Sequence, residues 1–313
     1  MSESATPTPR LSVVIATHDN QPVLARCLES WRRHAPRQPV ELLVVEDGCR
    51  DGTAEYLRRL EADSGWGALQ LRILHEENVH ELMCTNRGMR EARAPLVLSW
   101  HDDMFVRASW FVPELLATFD AYPELGLMSL SRGLLVLPLD EPVRTFADTI
   151  DWRRLQSTIG PAPWNWLQLV EVDAVVRPWI VRRSCLERVG LLDEAFRPTE
   201  WDEADLCYRI RTAGWFVATH GYERDGAYEH LLSTTIGRTP SEQRYAAIVR
   251  NAQLFFTRWR EAIAHESSRP RRSWRRRLSA AGAIGTARAM ARASWRRAAL
   301  AAGAPPGPST AAT

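Results

Sequence analysis

The chain has 313 residues, 45% of them hydrophobic, and a net charge of +2, which is ordinary for a globular protein with a sizeable core. The five cysteines are widely spaced and form no Cys-x-x-Cys pair. This spacing argues against a structural zinc site or a disulfide framework and favours a reducing, cytoplasmic setting. No apolar run approaches the roughly 18–20 residues needed to span a bilayer, so a transmembrane protein is not expected.

The positive charge is concentrated at the C-terminal end. Residues 269–313 carry ten arginines and no acid, whereas the first 268 residues carry 30 arginines against 38 acidic residues. Tryptophans interrupt the basic run at residues 269–297, which predicts a tail that touches an anionic membrane surface from the cytoplasmic side. A solvated charge run is the alternative. Nucleic acid is not expected as a partner, because no binding motif accompanies the arginines.

Apolar runs alternate with helical patterns over the first hundred residues. We expect residues 1–10 to be a disordered lead-in. The predicted buried strands are residues 11–16, 42–45, 71–74 and 96–98, and the predicted helices between them are residues 23–31, 53–60 and 86–94. Strands and helices that alternate at this spacing predict βαβ units, a parallel sheet and therefore an α/β fold.

The second half of the chain is less regular. Residues 129–168 are rich in proline and tryptophan and carry no clear pattern. Further on, strands are predicted at residues 170–176 and 179–181, and helices at residues 184–189, 203–213 and 241–264. The last helix is long and amphipathic, and we expect residues 240–266 to form a C-terminal helix appended to the main domain.

Polar residues follow several of the predicted strands directly. Thr17-His18-Asp19-Asn20 follows the first strand, Glu46-Asp47-Gly48 the second, and Asp102-Asp103 the fourth. The carboxyl ends of parallel strands share one rim, where open α/β sheets bind ligands. Hydrogen-bond acceptors there can bind a nucleobase and ribose, and carboxylates can hold a hard divalent cation that in turn binds a phosphate. Ordinary turns and helix caps are the alternative explanation.

Three of these segments together resemble a known family. Residues 12–17, 44–53 and 101–103 are similar in order and spacing to the family 2 glycosyltransferases of the GT-A fold. The resemblance spans residues 11–235 and is weak between 135 and 168. It implies a mixed, mainly parallel sheet flanked by helices, with a nucleotide-sugar half at 11–130 and an acceptor half at 131–235.

The resemblance also implies a reaction. It predicts an inverting, metal-dependent transferase that moves a sugar from a nucleotide-diphosphate sugar to a hydroxyl of a glycan or lipid-linked acceptor, in cell-envelope or capsule synthesis. The residues that it assigns to the nucleotide sugar are Thr17, Asp19, Glu46, Asp47, Asn86 and Asp102.

The resemblance predicts a site for Mn²⁺ or Mg²⁺ at Asp103 and His230. Asp103 matches the second acid of the family's Asp-x-Asp motif, and His230 lies 27 residues after Glu203, where many members complete the metal shell. His101 replaces the first acid of the motif. His220 is a weaker candidate for the histidine ligand, because it follows an apolar strand directly.

The segment Glu200-Trp201-Asp202-Glu203 resembles the acidic motif that supplies the family's general base. Glu203 falls on the base position, with Asp202 beside it. Neighbouring negative charge should raise the pKa of one of these carboxyls, which suits proton abstraction. The alternative is that the acids only favour the positive end of a helix.

Four tryptophans surround the predicted acceptor half, at positions 164, 166, 179 and 201. They suit either stacking on a sugar ring or packing in the core. Two other functions remain open. A sugar-phosphate nucleotidyltransferase should carry a Gly-rich basic turn after its first strand, and this chain has none. A non-catalytic carbohydrate-binding relative would explain His101, but Asp103, Glu203 and His230 argue for chemistry.

Overall fold

The computed structural model describes residues 7–63, 65–138, 166–198, 200–231 and 242–301. Nine strands form one central sheet, and these are β1 Leu11–Thr17, β2 Val40–Asp47, β3 Leu69–Glu76, β4 Leu96–His101, β6 Leu125–Ser129, β8 Gln168–Glu171, β10 Trp179–Arg182, β11 Phe216–Thr219 and β13 Ser273–Arg275. Their order across the sheet is β13-β8-β11-β6-β10-β4-β1-β2-β3. Two short ribbons accompany the sheet: β5 Met104–Val106 with β12 Tyr228–His230, and β7 Gly133–Leu134 with β9 Ala174–Val175.

Helices cover both faces of this sheet. They are α1 Gln21–Arg33, α2 Thr53–Glu61, α3 Glu81–Glu91, α4 Phe111–Ala121, α5 Arg183–Val189, α6 Asp202–Thr212, α7 Glu242–Glu266 and α8 Ala280–Ala301, with a short 3-10 helix at Glu194–Phe196. The first core lies under α1, α2 and α4, and the second under α3, α5, α6 and α7.

The central strands are apolar along their whole length because both faces are buried. Within β1, Leu11, Val13 and Ile15 join the first core, whereas Val14 joins the second. Such continuous apolar runs are typical of parallel strands between two helix layers. Of the nine strands described in the central sheet, only β8 and β10 run antiparallel to the others. The predicted α/β fold with a mixed, mainly parallel sheet is confirmed.

The strand register brings the polar strand ends to one rim. In the parallel pairs, Thr17 stands opposite Glu46 on β2, and Ala16 stands opposite His101 on β4. The ribbon of β5 and β12 extends this rim, since His230 pairs with Met104. His230, more than a hundred residues later in the chain, is thereby placed beside Asp103, which follows β4.

The C-terminal segment is built into the domain, which differs from the appended tail that its composition suggests. β13 forms an edge of the sheet by pairing with β8, and Arg276 is only 3% exposed. Buried carboxylates explain this placement: Arg271 lies 2.7 Å from Asp173, and Arg272 lies 2.9 Å from Glu171. The sheet therefore extends beyond the predicted domain end at residue 235.

Helix α8 packs closely on α4. A Cβ atom at Gly282 would meet the carboxylate of Glu114, so a larger residue there would force that side chain to shift where the two helices meet. Among the described residues, no helix combines the length and the apolar character needed to cross a bilayer.

Candidate functional site

A cavity of about 670 Å³ opens at the rim where β1, β2 and β4 end. Six of the ten residues predicted from the sequence line it, and these are Thr17, Asp47, Asp102, Asp103, Glu203 and His230. Charged groups from the second half of the chain also line it, namely Arg132, Arg177, Glu200, Glu223, Arg224 and Arg244. The cavity therefore joins the predicted nucleotide half to the predicted acceptor half.

One wall of the cavity carries His101, Asp103 and His230, which we call the metal corner. One ligand atom from each residue lies within 4.8 Å of the others. His230 Nε2 is 3.3 Å and His101 Nδ1 is 4.0 Å from Asp103 Oδ1. Two imidazoles and a carboxylate are ordinary ligands for a divalent cation, so the residues present fit the metal that the resemblance implies.

Opposite charges are packed tightly at the start of α6, in a cluster that we call the base corner. The guanidinium of Arg177, only 6% exposed, contacts three carboxylates. It lies 2.9 Å from Glu203 Oε1, 3.2 Å from Asp202 Oδ2 and 2.5 Å from Glu81 Oε1. Glu81 also faces the metal corner, because its Oε1 is 3.2 Å from His101 Nε2.

Glu203 and Asp202 differ in their access to the cavity. Glu203 lines it with a side chain that is 16% exposed, whereas Asp202 is fully buried and does not line it. Burial raises the pKa of both carboxyls above the ordinary range, and the nearby Arg177 guanidinium opposes this rise. A carboxyl that faces a cavity with a raised pKa is suited to accept a proton near neutral pH.

The backbone that leads into α6 is unusual. Glu200 and Trp201 both adopt left-handed conformations, with φ of 76° and 68°. Non-glycine residues rarely adopt this region, and such outliers cluster at functional sites. This turn sets the direction in which the following Glu203 projects.

The side of the cavity formed by β1 and β2 is held by polar contacts. The Thr17 hydroxyl donates a 2.8 Å hydrogen bond to Asp102 Oδ2. The Asp47 carboxylate accepts from the backbone N–H groups of Val79 and His80. Burial raises the pKa of Asp102 to about 6, against the hydrogen bond from Thr17. These contacts fix the rim but leave the cavity itself open.

The other four predicted site residues do not line the cavity. Asp202 is buried beneath Glu203, as described above. Glu46 pairs with His75 at 3.0 Å and accepts from the Cys49 N–H. Asp19 accepts from the Arg50 N–H, which stabilises the turn after β1.

Asn86 is a buried structural residue. Its side chain donates to Leu192 O at 2.9 Å and accepts from Leu192 N at 3.0 Å, so both amide atoms are used. Two residues further along, a Cβ at Gly88 would collide with Val14 on β1. The signal in α3 that resembles the family therefore reflects packing and not a direct contact with the cavity.

Two of the predicted aromatic residues belong to the core. Trp179 is fully buried and donates to Glu203 Oε1 at 3.4 Å, and Trp201 packs on Phe255 of α7 with ring centroids 5.0 Å apart. Trp166 does not line the cavity, and Trp164 lies outside the described residues.

His220 does not belong to the metal corner. It is buried between Asp225, 3.0 Å from its Nε2, and the carbonyl of Gln168, 3.1 Å from its Nδ1. The structure thus places His230, and not His220, beside Asp103.

Sequence reasoning missed the two residues that connect the corners of the site, Glu81 and Arg177. Glu81 begins α3 and Arg177 precedes β10, and neither belongs to a run with a recognisable motif. Arg132 gave a weak signal, because it follows β6 at the same rim as the other strand ends. Asp103 and Glu203 were detectable in the sequence because they stand in clusters of acids, whereas Glu81 and Arg177 lie outside such clusters.

A sequence comparison identifies the family of this chain. The model of the family "Glycosyl transferase family 2" matches residues 12–189, more than half of the chain. The chain belongs to this family. The resemblance noted in the sequence is thereby confirmed. No curated protein sequence matches the chain.

Solved structures of glycosyltransferases align with the chain. GalNAc-T7 with UDP, GalNAc and Mn²⁺ aligns with a TM-score of 0.61 and 13% identity, covering 81% of this chain and 49% of that one. The mannosyltransferase PcManGT from Pyrobaculum calidifontis, in complex with GDP-Man and Mn²⁺, aligns with a TM-score of 0.48 and 16% identity, covering 95% and 81%. S. aureus TarS 1-349 in complex with UDP has a TM-score of 0.48 and 13% identity, covering 68% of this chain and 58% of that one. The chain thus spans little more than half of the TarS 1-349 chain, and the likeness to GalNAc-T7 is one of fold.

Proposed function

We propose that this family 2 protein transfers a sugar from a nucleotide-diphosphate sugar to a hydroxyl acceptor, with inversion at the anomeric carbon. The observation that carries the proposal is that a single cavity of about 670 Å³ is lined by both the metal corner and the carboxylate of Glu203. A donor whose diphosphate lies at one corner would present its sugar to an acceptor hydroxyl at the other. A single in-line displacement of this kind inverts the anomeric carbon.

The donor side is assigned to the rim of β1, β2 and β4. Asp103 and His230 would hold Mn²⁺ or Mg²⁺, and the Mn²⁺ in the GalNAc-T7 structure agrees with such a site. When bound there, the ion would offset the charge that develops on the departing diphosphate. Thr17, Asp47 and Asp102 would contact the nucleotide, and Arg132 and Arg224 add positive charge to a cavity that has no Gly-rich phosphate loop.

The acceptor side is assigned to Glu203. Its carboxylate would take the proton of the acceptor hydroxyl as the new glycosidic bond forms. Arg177, 2.9 Å away, would hold the carboxylate in place. Trp179 donates to the same oxygen at 3.4 Å, so the proton of the hydroxyl would be taken by Oε2.

The acceptor would be a glycan or lipid-linked glycan of the cell envelope or capsule, presented at a cytoplasmic membrane surface. The outer face of α8 is the part of the chain that would contact this surface. Gly282, Thr286 and Ala289 face the domain, whereas Ile284 and Trp295 are 56% and 68% exposed on the opposite side. These two lie eleven residues apart, which is three helical turns, so they share one face.

Basic residues stand beside this apolar face, and the helix lies close to the cavity. Arg288 is exposed between Ile284 and Trp295. Arg292 Nη2 lies 3.4 Å from the position of a Cβ on Gly226, in the turn that also supplies Glu223 and Arg224 to the cavity. Tryptophan with neighbouring arginine suits an anionic interface.

The transfer itself is tested with a panel of nucleotide-diphosphate sugars, Mn²⁺ and release of the nucleotide diphosphate. We expect release from one donor class, and none from Asp103→Ala or from chelator-treated protein. Release of pyrophosphate from a sugar phosphate and a nucleoside triphosphate would instead indicate a nucleotidyltransferase. Donor binding without any release would indicate a non-catalytic relative.

Membrane contact is tested by sedimentation with vesicles of phosphatidylcholine with or without phosphatidylglycerol. Deleting residues 269–313 would remove β13 and buried Arg276, so point variants are the cleaner probe. Arg288→Ser should weaken binding about fivefold, since one basic residue near an anionic surface contributes about 1 kcal/mol. Trp295→Ser should weaken it further, and Arg37→Ser, before β2, is the matched control. Equal binding by all variants would place the contact elsewhere.

A further inference from the structure

We infer that His101 is a third protein ligand of the metal corner and that it makes this site prefer a transition-metal ion to Mg²⁺. The inference rests on the proposed function, because it concerns the metal ion that the donor site would hold. It assigns a role to the one residue at which the motif departs from Asp-x-Asp.

The geometry places His101 as close to the site as the two residues already assigned. Its Nδ1 is 4.0 Å from Asp103 Oδ1, and its ring centroid is 5.8 Å from that of His230. Bonds of about 2.1 Å to one ion put two ligand atoms about 3 Å apart at a right angle and about 4 Å apart when opposite. The three ligand atoms, within 4.8 Å of one another, can approach a single ion with only small side-chain adjustments.

A carboxylate lies behind the His101 ring. Glu81 Oε1 is 3.2 Å from His101 Nε2 without hydrogen-bond geometry, so a small rotation of the ring would let Nε2–H donate to it and turn the Nδ1 lone pair towards Asp103. Metal-binding histidines ordinarily donate their second ring nitrogen to such a carboxylate. Glu81 is itself fixed by Arg177, 2.5 Å away. The outer partners of a metal ligand are therefore already in place around His101.

The set of ligand atoms determines which ion is preferred. Mg²⁺ favours carboxylate, phosphate and water oxygens and gives up its waters reluctantly. Imidazole nitrogen favours first-row transition metals, whose affinities rise from Mn²⁺ to Co²⁺. With two imidazoles and one carboxylate, the corner should bind Mg²⁺ most weakly, Mn²⁺ more tightly and Co²⁺ more tightly still.

Pulsed electron paramagnetic resonance of the full chain loaded with Mn²⁺ alone tests the ligand directly, because it detects coordinated imidazole nitrogen. We expect couplings from two nitrogens in the wild type and from one in His101→Ala and in His230→Ala. His34→Ala is the matched control, since His34 is equally half-buried but lies at the end of α1. Two nitrogens in His101→Ala would overturn the inference.

A second variant keeps the test decisive if His101→Ala folds poorly. His101→Asp restores a carboxylate at the first position of the motif, so its Mg²⁺ affinity measured by calorimetry should rise relative to its Mn²⁺ affinity. Glu81→Gln should weaken Mn²⁺ binding about 10–100-fold while both nitrogen couplings remain. An unchanged Mg²⁺ to Mn²⁺ ratio in His101→Asp would count against the assignment.

These measurements separate the inference from the proposed function. Two coupled nitrogens without turnover of any nucleotide sugar would leave His101 as a ligand and remove the transferase proposal. Turnover together with unchanged nitrogen couplings in His101→Ala would do the reverse.

Discussion

The two corners of the cavity balance buried negative charge in different ways. In the base corner, Arg177 supplies a permanent cation to the three carboxylates of Glu81, Asp202 and Glu203. In the metal corner, the Asp103 carboxylate faces two imidazoles, which are cationic only when they are protonated. The chain itself supplies the cation of the base corner, whereas on the proposed function an exchangeable ion would supply that of the metal corner.

The largest expected effect comes from removing the proton acceptor of the base corner. Glu203→Gln keeps the shape of the side chain and its place beside Arg177, so donor binding should persist while turnover falls about 10²–10⁴-fold. Steady-state kinetics with a donor-binding measurement checks this. Asp202→Asn is the matched variant, and a normal Glu203→Gln beside an inactive Asp202→Asn would transfer the role to Asp202.

Removing the permanent cation should lower stability. Arg177→Met leaves three carboxylates without their partner, and breaking a buried ion pair in this way costs about 3–5 kcal/mol of unfolding free energy. The loss should shrink as the pH falls, because the carboxylates then become protonated and uncharged. Urea unfolding at two pH values measures both effects.

The exposed arginine of the same cavity provides the control for that experiment. Arg132→Met should change the free energy of unfolding by less than about 0.5 kcal/mol, as is usual for a surface substitution. Equal losses in the two variants would show that burial of Arg177 is not what makes the base corner depend on it.

The pH dependence of turnover follows from the raised pKa of Glu203. Only the deprotonated carboxylate can accept a proton, so the rate should fall about tenfold for each pH unit below that pKa. Because burial raises it above the usual value of 4.5, the loss should begin at a higher pH than for an ordinary glutamate. A rate that stays constant down to pH 5 with saturating Mn²⁺ would contradict the assignment.

The smallest effect on donor binding is expected at Asn86, which belongs to neither corner. Asn86→Ala removes both hydrogen bonds to Leu192 and leaves buried backbone groups without partners, which should cost about 1–3 kcal/mol of stability. The donor dissociation constant should stay within about twofold. A weaker donor affinity with unchanged stability would instead support the role in nucleotide-sugar binding that the resemblance implies for Asn86.

Strand patterns predict the α/β fold and the first four strands of the sheet, and clustered acids single out Asp103 and Glu203. Buried strands are recognisable as continuous apolar runs. Asp103 follows such a run, and Glu203 stands at the start of a helix that the apolar periodicity predicts. Arg177 could not be predicted, because its role depends on packing between α3 and α6 that brings together residues far apart in sequence. For Asn86, similarity to a family position did not distinguish a packing role from a binding role.

The start of the C-terminal segment, around β13, differs from its prediction for another reason. Its arginines predict a solvated or membrane-bound surface if they are counted as free charges, and several of them are instead paired with buried acids. Arg276 reaches Glu114 and Asp225, which lie in elements far apart along the chain. Composition records how many charges a segment has, but not which of them meet partners.

The order of strands in the sheet has a consequence for how the chain is assembled during synthesis. The four strands β3, β2, β1 and β4 are adjacent and come from the first 101 residues, so they can pair while the remainder is still being translated. The opposite edge depends on β13, which pairs with a strand made about a hundred residues earlier. We therefore expect the half that holds Thr17 and Asp103 to form early, and the sheet to close only after residue 275 has left the ribosome.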